Sequence, residues 1–425
     1  MLQENRRKNT GLTETQVLSL SYGRVVVKPL EKQHGLVPDS YEGYQILEPG
    51  DIVVRPTDLQ NDQTSVRVGH VYDHGIITSA YIGLRPAGDW DGTYAYQYLR
   101  AVDSTKRIYG MGSGLRQQLG WADLKRMPCL VPPIEEQAAI VKYLAHANAR
   151  IGKAIAARIR LISLLEEQAR ETVNRVVTKG LDRNVPFVDS GIPWIGLLPE
   201  HWSLVPARSI FKPVSRVVTG SELPQLSLTR SAGLVPSGAP GSGTIAAESS
   251  DNLQQCNRGD FVLNKYRAHM GLFRWCRTPG MVTRNYTVLK PNSLVYHDYF
   301  ENLFLDPVFA EGLRINARGV GDGMSPLYTS TLMSMKMPLP PIEEQQAIVG
   351  LIIADTARLN QRIALTSREI QLLQEFRNRL VADVVTGQID VRAIAASLPD
   401  APEQDTELDS LLDDDLEGVL NEGEE

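Results

Sequence analysis

The hexapeptide PPIEEQ occurs twice in the chain, at residues 132–137 and again at residues 340–345. One reading is a paired-carboxylate site for acid–base chemistry, and the other is the start of a helix. Proline suits the first helical turn because its missing N–H would be unpaired there anyway. The two glutamates would then lie where the helix dipole favours negative charge, so we favour the helix start. The residues predicted to mark the two helix starts are Pro132, Pro133, Glu135, Glu136, Pro340, Pro341, Glu343 and Glu344.

Each copy of the motif opens a long stretch with coiled-coil periodicity. After the second copy, apolar residues recur at steps that alternate between four and three, with Thr356, Thr366 and Arg377 as interruptions. The first copy is followed by a similar stripe from Ile134 to Val176. Each stretch predicts a helix of roughly 45 residues, about 65 Å at 1.5 Å per residue. Because one such helix cannot bury its stripe alone, we expect the two helices to pack as an antiparallel pair.

The motif belongs to a longer internal repeat with an offset near 208 residues. Several features recur in the same order in both halves, which chance would not produce. The matched segments are 19–21 with 227–229, 49–54 with 258–263, 75–78 with 280–283, 84–86 with 289–291, and the glycines Gly110, Gly112 and Gly114 with Gly319, Gly321 and Gly323. Gly-Asp turns followed by β-branched or aromatic runs are typical of strands. We predict a mixed α/β (α+β) fold with two globular domains, two long antiparallel coiled-coil helices and a pseudo-two-fold internal repeat.

The composition limits the classes of protein to which the chain can belong. With 425 residues, of which 42% are hydrophobic, the chain is long enough for two or three folded domains. It contains no apolar run long enough for a membrane span, and the start MLQENRRKNT lacks the apolar region of a secretory signal. Three cysteines without a CxxC pair suit a reducing cytoplasm and argue against a disulfide framework. We therefore expect a cytoplasmic protein without a membrane partner.

The net charge of −6 conceals two regions of opposite sign. Residues 400–425 hold twelve Asp and Glu and no Lys or Arg, so the rest of the chain carries a formal charge of +6. A mildly basic body is compatible with nucleic-acid binding. For the tail we favour a solvated, disordered segment. A helix that docks on a partner and an acidic mimic that competes for the DNA groove are the alternatives.

The sequence contains no catalytic or cofactor motif of a familiar kind. The seven histidines show no metal-binding spacing, and no Walker lysine, nucleophile elbow or methyltransferase tetrad is present. The glycine-rich stretches GMGSG at residues 110–114 and GVGDG at residues 319–323 lack the GxGxxG spacing of a dinucleotide site. They predict loops whose backbone can approach a ligand closely. We expect a non-catalytic chain that holds neither a cofactor nor a metal.

Two kinds of polar loop are candidates for DNA contact. RPTDLQNDQTSVR at residues 55–67 and NKYRAHMGLFR at residues 264–274 each follow a Gly-Asp strand. Arg can bind guanine through two hydrogen bonds, and Asn or Gln can bind adenine. The glycine-rich loops are the second kind, and a solvated loop is the alternative for any single residue. The candidates are Arg55, Thr57, Asn61, Gln63, Arg67, Ser113, Arg116, Gln117, Asn264, Lys265, Arg267, Arg274, Arg284, Arg318 and Ser325.

The arrangement resembles the specificity subunit of type I restriction–modification systems. The resemblance rests on PPIEEQAAIVKYLAHANARI and PLPPIEEQQAIVGLIIADTARL, on VTKGLD followed by SGIPWIGLLPEHW between the halves, and on SYGRVV and GSGLRQQLGWADLKRMP in the first half. It extends over nearly the whole chain, to about Arg392. That family has a Trp-rich lead-in before each recognition domain. Residues 194–202, shifted back by 208, would fall before Met1, so we expect the first half to lack this lead-in.

The resemblance implies two target recognition domains, each of which reads one half of a bipartite, non-palindromic DNA site. The two long helices would set the spacer and bind two methyltransferase subunits, which use S-adenosylmethionine to methylate adenine N6. Motor–nuclease (restriction) subunits would join in complexes that cleave DNA. The expected boundaries are residues 1–130 for the first recognition domain, 131–180 for the central spacer helix, 181–337 for the linker and second recognition domain, 338–392 for the C-terminal spacer helix, and 393–425 for the acidic tail.

Two other classes remain open on the residues alone. A fused methyltransferase or nuclease would need a cofactor pocket, for which the sequence offers no motif. A coiled-coil scaffold that binds DNA without sequence specificity would not need two polar loops that differ between the halves.

Overall fold

The structure is a computed structural model that describes residues 2–21, 23–28, 40–57, 67–107, 111, 118–218, 221–229, 232–238, 253–317 and 326–402. The chain divides into two compact units. Unit 1 consists of Met1–Leu161 with Leu365–Glu425, and unit 2 consists of Ile162–Ala364. Across the described ranges, none of the helices combines the length and the apolar character needed to cross a membrane.

Eight short strands form the β-structure of the described part of unit 1. They are β1 (Leu2–Glu4), β2 (Leu18–Ser21), β3 (Arg24–Val27), β4 (Gln45–Leu47), β5 (Ile52–Val54), β6 (Val68–His70), β7 (Gly75–Ile77) and β8 (Ile82–Pro86). Six of them form one sheet in the order β1-β8-β5-β6-β3-β2, and β4 pairs with β7. Neighbouring strands are antiparallel except β3 and β6, which are parallel. The central strands β5 and β6 are buried along their whole length.

Helices cover the sheet of each unit and include two very long ones. Within the described residues they are α1 (Gly92–Ser104), α2 (Trp121–Lys125), α3 (Ile134–Lys179), α4 (His297–Leu305), α5 (Pro307–Asn316), α6 (Thr329–Ser334), α7 (Ile342–Val385) and α8 (Arg392–Ser397). The predicted helix starts are confirmed, because α3 and α7 each begin directly after a proline pair. Both helices carry two glutamates in the first turn, where the helix dipole favours them.

Unit 2 repeats the strand plan of unit 1. Its strands are β9 (Phe187–Asp189), β10 (Leu197–Pro199), β11 (Ser203–Pro206), β12 (Phe211–Val214), β13 (Leu226–Thr229), β14 (Gly233–Pro236), β15 (Leu253–Cys256), β16 (Phe261–Asn264), β17 (Phe273–Trp275), β18 (Gly280–Thr283), β19 (Tyr286–Pro291) and β20 (Lys336–Leu339). The sheet order β12-β19-β16-β17 matches β1-β8-β5-β6 of unit 1, and the pair β15–β18 matches β4–β7. Strand β13 lies 208 residues after β2. The predicted internal repeat and mixed α/β fold are therefore confirmed.

The long helices run antiparallel inside each unit. In unit 1 the early part of α3 packs on the late part of α7, and Arg158 near the middle of α3 pairs with Glu369 at 2.9 Å. In unit 2 the late part of α3 packs on the early part of α7, where Val176 and Ile348 share one core. Thr366, an expected interruption of the seam, is buried in it. The two helices thus form part of the hydrophobic core of both units.

The segment after α7 returns to α3 within unit 1. Ala395 in α8 is buried, Lys142 pairs with Asp400 at 3.1 Å, and His146 contacts the Pro399 carbonyl at 2.8 Å. Residues 393–402 of the predicted acidic tail therefore belong to α8 and to this contact. Residues 403–425 lie outside the described residues.

The glutamine of each PPIEEQ motif is fully buried and bonds three backbone groups. In unit 1 the Gln137 amide donates to the carbonyls of Asp89 and Pro132, both at 2.9 Å. Its Oε1 accepts from the N–H of Asp91, also at 2.9 Å. Asp91 is the N-cap residue of α1. Gln137 therefore joins the start of α3 to the start of α1.

Gln345 makes the same three bonds in unit 2. Its amide donates to the carbonyls of Leu294 and Pro340 at 2.9 Å, and its Oε1 accepts from the Tyr296 N–H at 2.8 Å. Tyr296 is the N-cap residue of α4, which occupies the place of α1. The repeated motif thus begins each long helix and also ties that helix to the domain that precedes it. We call these two residues the glutamine clamps.

Gly312 provides a test of the packing between α5 and the linker in unit 2. A Cβ added at Gly312 would lie 2.5 Å from the Trp194 ring, which packs edge-on against Phe309 at 5.3 Å. We expect Gly312→Ala to lower the free energy of unfolding by about 1–3 kcal/mol through overpacking. Gly350 is the matched control, because it lies in α7 with no atom within 4 Å of an added Cβ. Gly350→Ala should stabilise the chain slightly, by about 0.5–1 kcal/mol, and urea unfolding measures both changes.

Candidate nucleic-acid interface

The two kinds of candidate loop meet at their bases in unit 1. Strand β5 continues into the first polar loop, where the Arg55 N–H donates to the Arg67 carbonyl at 2.8 Å. The chain that returns from the glycine-rich loop donates from Leu119 N–H to the Pro56 carbonyl at 2.9 Å. One backbone hydrogen bond therefore joins the base of one loop to the base of the other.

The same junction exists in unit 2. The Leu327 N–H, 208 residues after Leu119, donates to the Lys265 carbonyl at 2.8 Å, and the Asn264 N–H donates to Leu272 O at 3.0 Å. Leu119 and Leu327 are both buried and anchor the junction. In both units, therefore, the segment after the Gly-Asp turn and its strand is hydrogen-bonded to the segment that follows the glycine-rich stretch. The candidates Asn61, Gln63, Ser113, Arg116, Gln117, Arg318 and Ser325 lie outside the described residues.

Two of the candidate arginines lie inside their units. Arg67 is fully buried, its guanidinium donates to the Thr57 carbonyl, and its backbone N–H donates to Asp103 Oδ2 at 2.7 Å. Burial raises the pKa of Asp103, although the bond from Arg67 opposes that rise. Arg274 is 4% exposed, donates to the Gly271 carbonyl at 3.2 Å and lies 3.7 Å from Glu301. These placements argue against a DNA contact by Arg67 or Arg274 and give both a structural role.

The other described candidates lie nearer to the surface. In unit 1, Arg55 and Thr57 are half-buried beside the loop junction. In unit 2, Asn264 and Lys265 are half-buried, whereas Arg267 and Arg284 are exposed. The Lys265 ammonium donates to the Arg284 carbonyl at 2.9 Å. This bond brings the two basic residues of unit 2 together although 18 residues separate them in sequence.

An open groove of about 390 Å³ lies beside the loop junction of unit 2. Lys265 and Arg284 line it, together with the polar side chains of Gln254 and Thr329. The Gln254 amide donates to the Tyr286 carbonyl at 2.9 Å, so its position is fixed. Among the described residues, the groove lining contains two cations and no acidic residue. It is therefore suited to an anionic, hydrogen-bonding ligand such as a DNA backbone or base edge.

Unit 1 has a groove of about 310 Å³ at the corresponding place. Its Gln45 corresponds to Gln254 and donates to the Tyr81 carbonyl at 2.7 Å, as Gln254 does to Tyr286. Arg6, Lys8, Glu4 and Ser79 are also in the lining, and Arg6 pairs with Glu4 at 2.8 Å. Arg6 and Lys8 were not among the residues predicted from the sequence. The internal repeat would have identified Arg6 and Lys8, because subtracting an offset of 205 to 209 from the numbers of the unit 2 groove residues leads to both of them.

The motif glutamates make structural contacts. In unit 2, Glu344 accepts from the Trp202 indole N–H at 3.0 Å and lies 2.8 Å from His201 Nε2. In unit 1, Glu136 lies 3.9 Å from Arg392. Among the described residues, no group of three His, Cys, Asp or Glu side chains is arranged to hold a metal ion. The contacts of Glu136 and Glu344 agree with the reading of the motif as a helix start.

Comparison with known proteins supports the resemblance seen in the sequence. No family model matches the chain. The chain is 23% identical, over 283 residues, to the putative type I restriction enzyme MjaX specificity subunit of Methanocaldococcus jannaschii. That match covers 65% of this chain and spans 63% of the relative's length. The predicted similarity to type I specificity subunits is thereby confirmed.

Two solved structures are similar to the chain over most of its length. A chain from a study of complex assembly and conformational transition of the type I R-M system superposes with a TM-score of 0.53 at 15% identity, over 91% of this chain and 95% of that one. The HsdS subunit from Thermoanaerobacter tengcongensis gives a TM-score of 0.47 at 16% identity, over 90% and 93% of the two chains. The first of these likenesses establishes a shared fold.

Proposed function

We propose that this chain is the DNA-reading specificity subunit of a type I restriction–modification complex and is itself non-catalytic. The observation that carries the proposal is the duplicated loop junction with its neighbouring groove. Each unit presents a polar, partly cationic groove on the same scaffold. A repeated scaffold with different side chains fits two readers of two different base sequences.

The proposal includes a bipartite and non-palindromic target. At corresponding groove positions unit 1 has Ser79 where unit 2 has Arg284. Arg favours guanine, whereas Ser contacts either base type. In this proposal residues 1–130 and 181–337 are the recognition domains, and residues 131–180 and 338–392 form the spacer helices.

Methyltransferase subunits are the proposed partners of the long helices. Leu365, Leu372 and Phe376 of α7 are 61%, 49% and 56% exposed and follow one another at intervals of seven and four residues. This spacing places them on one face of the helix. Such an exposed apolar face is expected where another protein binds. Two methyltransferase subunits would bring S-adenosylmethionine, and motor–nuclease subunits would complete a cleaving complex.

Removing the two cations of the unit 2 groove tests the proposed interface. We expect Lys265→Gln with Arg284→Gln to weaken binding of the full chain to duplex DNA by roughly tenfold or more at moderate salt. The slope of log K against log salt should fall by about one, because Lys265 would contact a phosphate and each phosphate contact contributes about 0.9, whereas Arg284 would contact a base. Fluorescence anisotropy over a salt series measures both quantities.

The matched control removes the same charge elsewhere in unit 2. Arg208 and Lys336 are exposed and do not line the groove, so Arg208→Gln with Lys336→Gln should change affinity by less than twofold. Equal losses in the two double variants would show that only net charge matters and would refute the groove. Arg284→Lys adds a further distinction, because it preserves a phosphate contact but not bidentate base reading.

A further inference from the structure

Unit 1 contains a cluster of cationic and aromatic side chains apart from the groove. Arg377 of α7 was expected as an interruption of the coiled-coil seam, and its Nε is buried without a hydrogen-bond partner among the residues that the structure describes. Burial and the nearby charge of Arg100 lower the pKa of Arg377 to about 10. Neither Arg100 nor Arg377 forms an ion pair with any residue that the structure describes. The Arg377 side chain is half-buried, and a partly desolvated charge is costly unless it is paired, so this place calls for an anion from outside the chain.

Aromatic rings complete the cluster. The His70 ring lies 4.7 Å from the Tyr72 ring and 5.4 Å from the Tyr96 ring. Tyr72 is 67% exposed, so the cluster is open to solvent at this side. Desolvation raises the pKa of Tyr72, and the charges of Arg24 and Arg100 oppose that rise. Arg100 follows Tyr96 by one turn of α1, and Leu373, one turn before Arg377 in α7, packs against the same core cluster as Tyr96. Arg24 also lies opposite His70 in the β3–β6 pairing.

Unit 2 provides an internal comparison, because acidic side chains there neutralise the cation at the corresponding position. Trp275, Arg277 and Glu301 occupy the positions of His70, Tyr72 and Tyr96, 205 residues later. Arg277 stacks over Trp275 at 4.4 Å. It also pairs with Glu301 at 2.7 Å and with Asp298 at 3.4 Å. Unit 2 thus supplies its own carboxylates to the cation, whereas unit 1 has Tyr96 in the place of Glu301.

We propose that Tyr72, Arg100 and Arg377 form an anion site in unit 1 that binds a phosphodiester group of double-stranded DNA. This inference rests on the proposed function and names a phosphate contact apart from the two grooves. The guanidinium groups of Arg100 and Arg377 would hold the phosphate oxygens, and the exposed Tyr72 would pack against the sugar. Such a contact positions the duplex and carries no base preference. An interleaved set of arginines and aromatic rings favours nucleic acid over a purely carboxylate partner.

The test compares Arg377→Gln with Arg379→Gln in the full chain, using a mixed-sequence duplex of about 40 base pairs. Arg379 is on the same helix, its side chain is 83% exposed, and it pairs with Asp383. We expect Arg377→Gln to raise the Kd about five- to tenfold and to lower the salt slope by about one. Arg379→Gln should leave both within twofold of the unmodified chain. Equal behaviour of the two variants would overturn the site.

Two further measurements separate a binding role from a structural one. Arg377→Gln removes a partly desolvated charge that has no ion-pair partner among the described residues, so its thermal midpoint should equal or exceed that of the unmodified chain. A large fall in the midpoint would show a structural role and overturn the proposal. Unchanged DNA affinity with loss of methyltransferase subunits in gel filtration would assign the site to a protein carboxylate and overturn it as well.

The anion site can be tested separately from the proposed function. If the unmodified chain failed to bind duplex DNA, the proposed function would fail. Inorganic sulfate would then probe the site alone, because a ligand that binds only the folded state raises the thermal midpoint. We expect sulfate to stabilise the unmodified chain and the Arg379→Gln variant more than the Arg377→Gln variant. Equal stabilisation of all three would refute the anion site.

Discussion

Replacing Gln345 by leucine is expected to destabilise unit 2 by about 2–4 kcal/mol, since each buried polar group left without a partner costs about 1–3 kcal/mol. Three backbone groups would lose their partner: the Tyr296 N–H and the carbonyls of Leu294 and Pro340. Leucine has a similar volume and leaves no large cavity, so the loss would report the hydrogen bonds. Partial access of water to the freed groups sets the lower end of this range.

Gln346 is a matched control for that substitution. It is the next residue in the same helix and is exposed, so Gln346→Leu should change stability by less than about 0.5 kcal/mol. Urea unfolding gives the total change, and hydrogen exchange of α4 shows whether the loss is local to its start. If both variants shifted equally, or if α4 exchanged no faster in Gln345→Leu, the clamp would not hold the domain to the helix.

Substituting recognition residues in one unit is expected to change only one half of the methylated DNA site. Arg284→Ala in unit 2 should relax base preference at one position by about 10- to 100-fold, because a bidentate base contact discriminates by about 1–3 kcal/mol. Arg55→Ala in unit 1 should alter the other half and leave the first unchanged. Sequencing of methylated adenines in cells that carry each variant with the methyltransferase subunits reads out both halves at once.

Arg284→Ala and Arg55→Ala are controls for each other, because each should leave one half of the methylated site unchanged. A uniform decrease in methylation with no change in either half would identify the residue as a phosphate contact. Changes in both halves from either single substitution would contradict the assignment of one reader to each unit.

The long helices and the repeat could be predicted from the sequence because they depend on local rules. Periodicity, proline pairs and the offset between matched segments are visible without any knowledge of tertiary contacts. The Gly-Asp turn was also recognisable, but its bonding was not. Asp51 is buried and pairs with Arg85 of β8 at 2.9 Å. Asp260 is equally buried but pairs with Arg216, which follows β12.

The roles of individual polar residues were harder to predict. Arg67 and Arg274 stand in stretches rich in polar residues, and nothing in those letters indicates burial. Arg67 is drawn inside because β6 begins at the next residue and Asp103 of α1 accepts its backbone N–H. Arg274 is in β17, where Glu301 of α4 is close enough to share its charge. Such pairings depend on which helix covers which strand, and sequence spacing alone does not supply that information.

The central claim is that two units of one chain read two different halves of a DNA site. Its most direct test is single-molecule mapping of methylated adenines in DNA from cells that express this chain with the proposed methyltransferase subunits. We predict one bipartite, non-palindromic motif with a spacer of fixed length. A continuous or palindromic motif, or methylation without sequence preference, would contradict the claim.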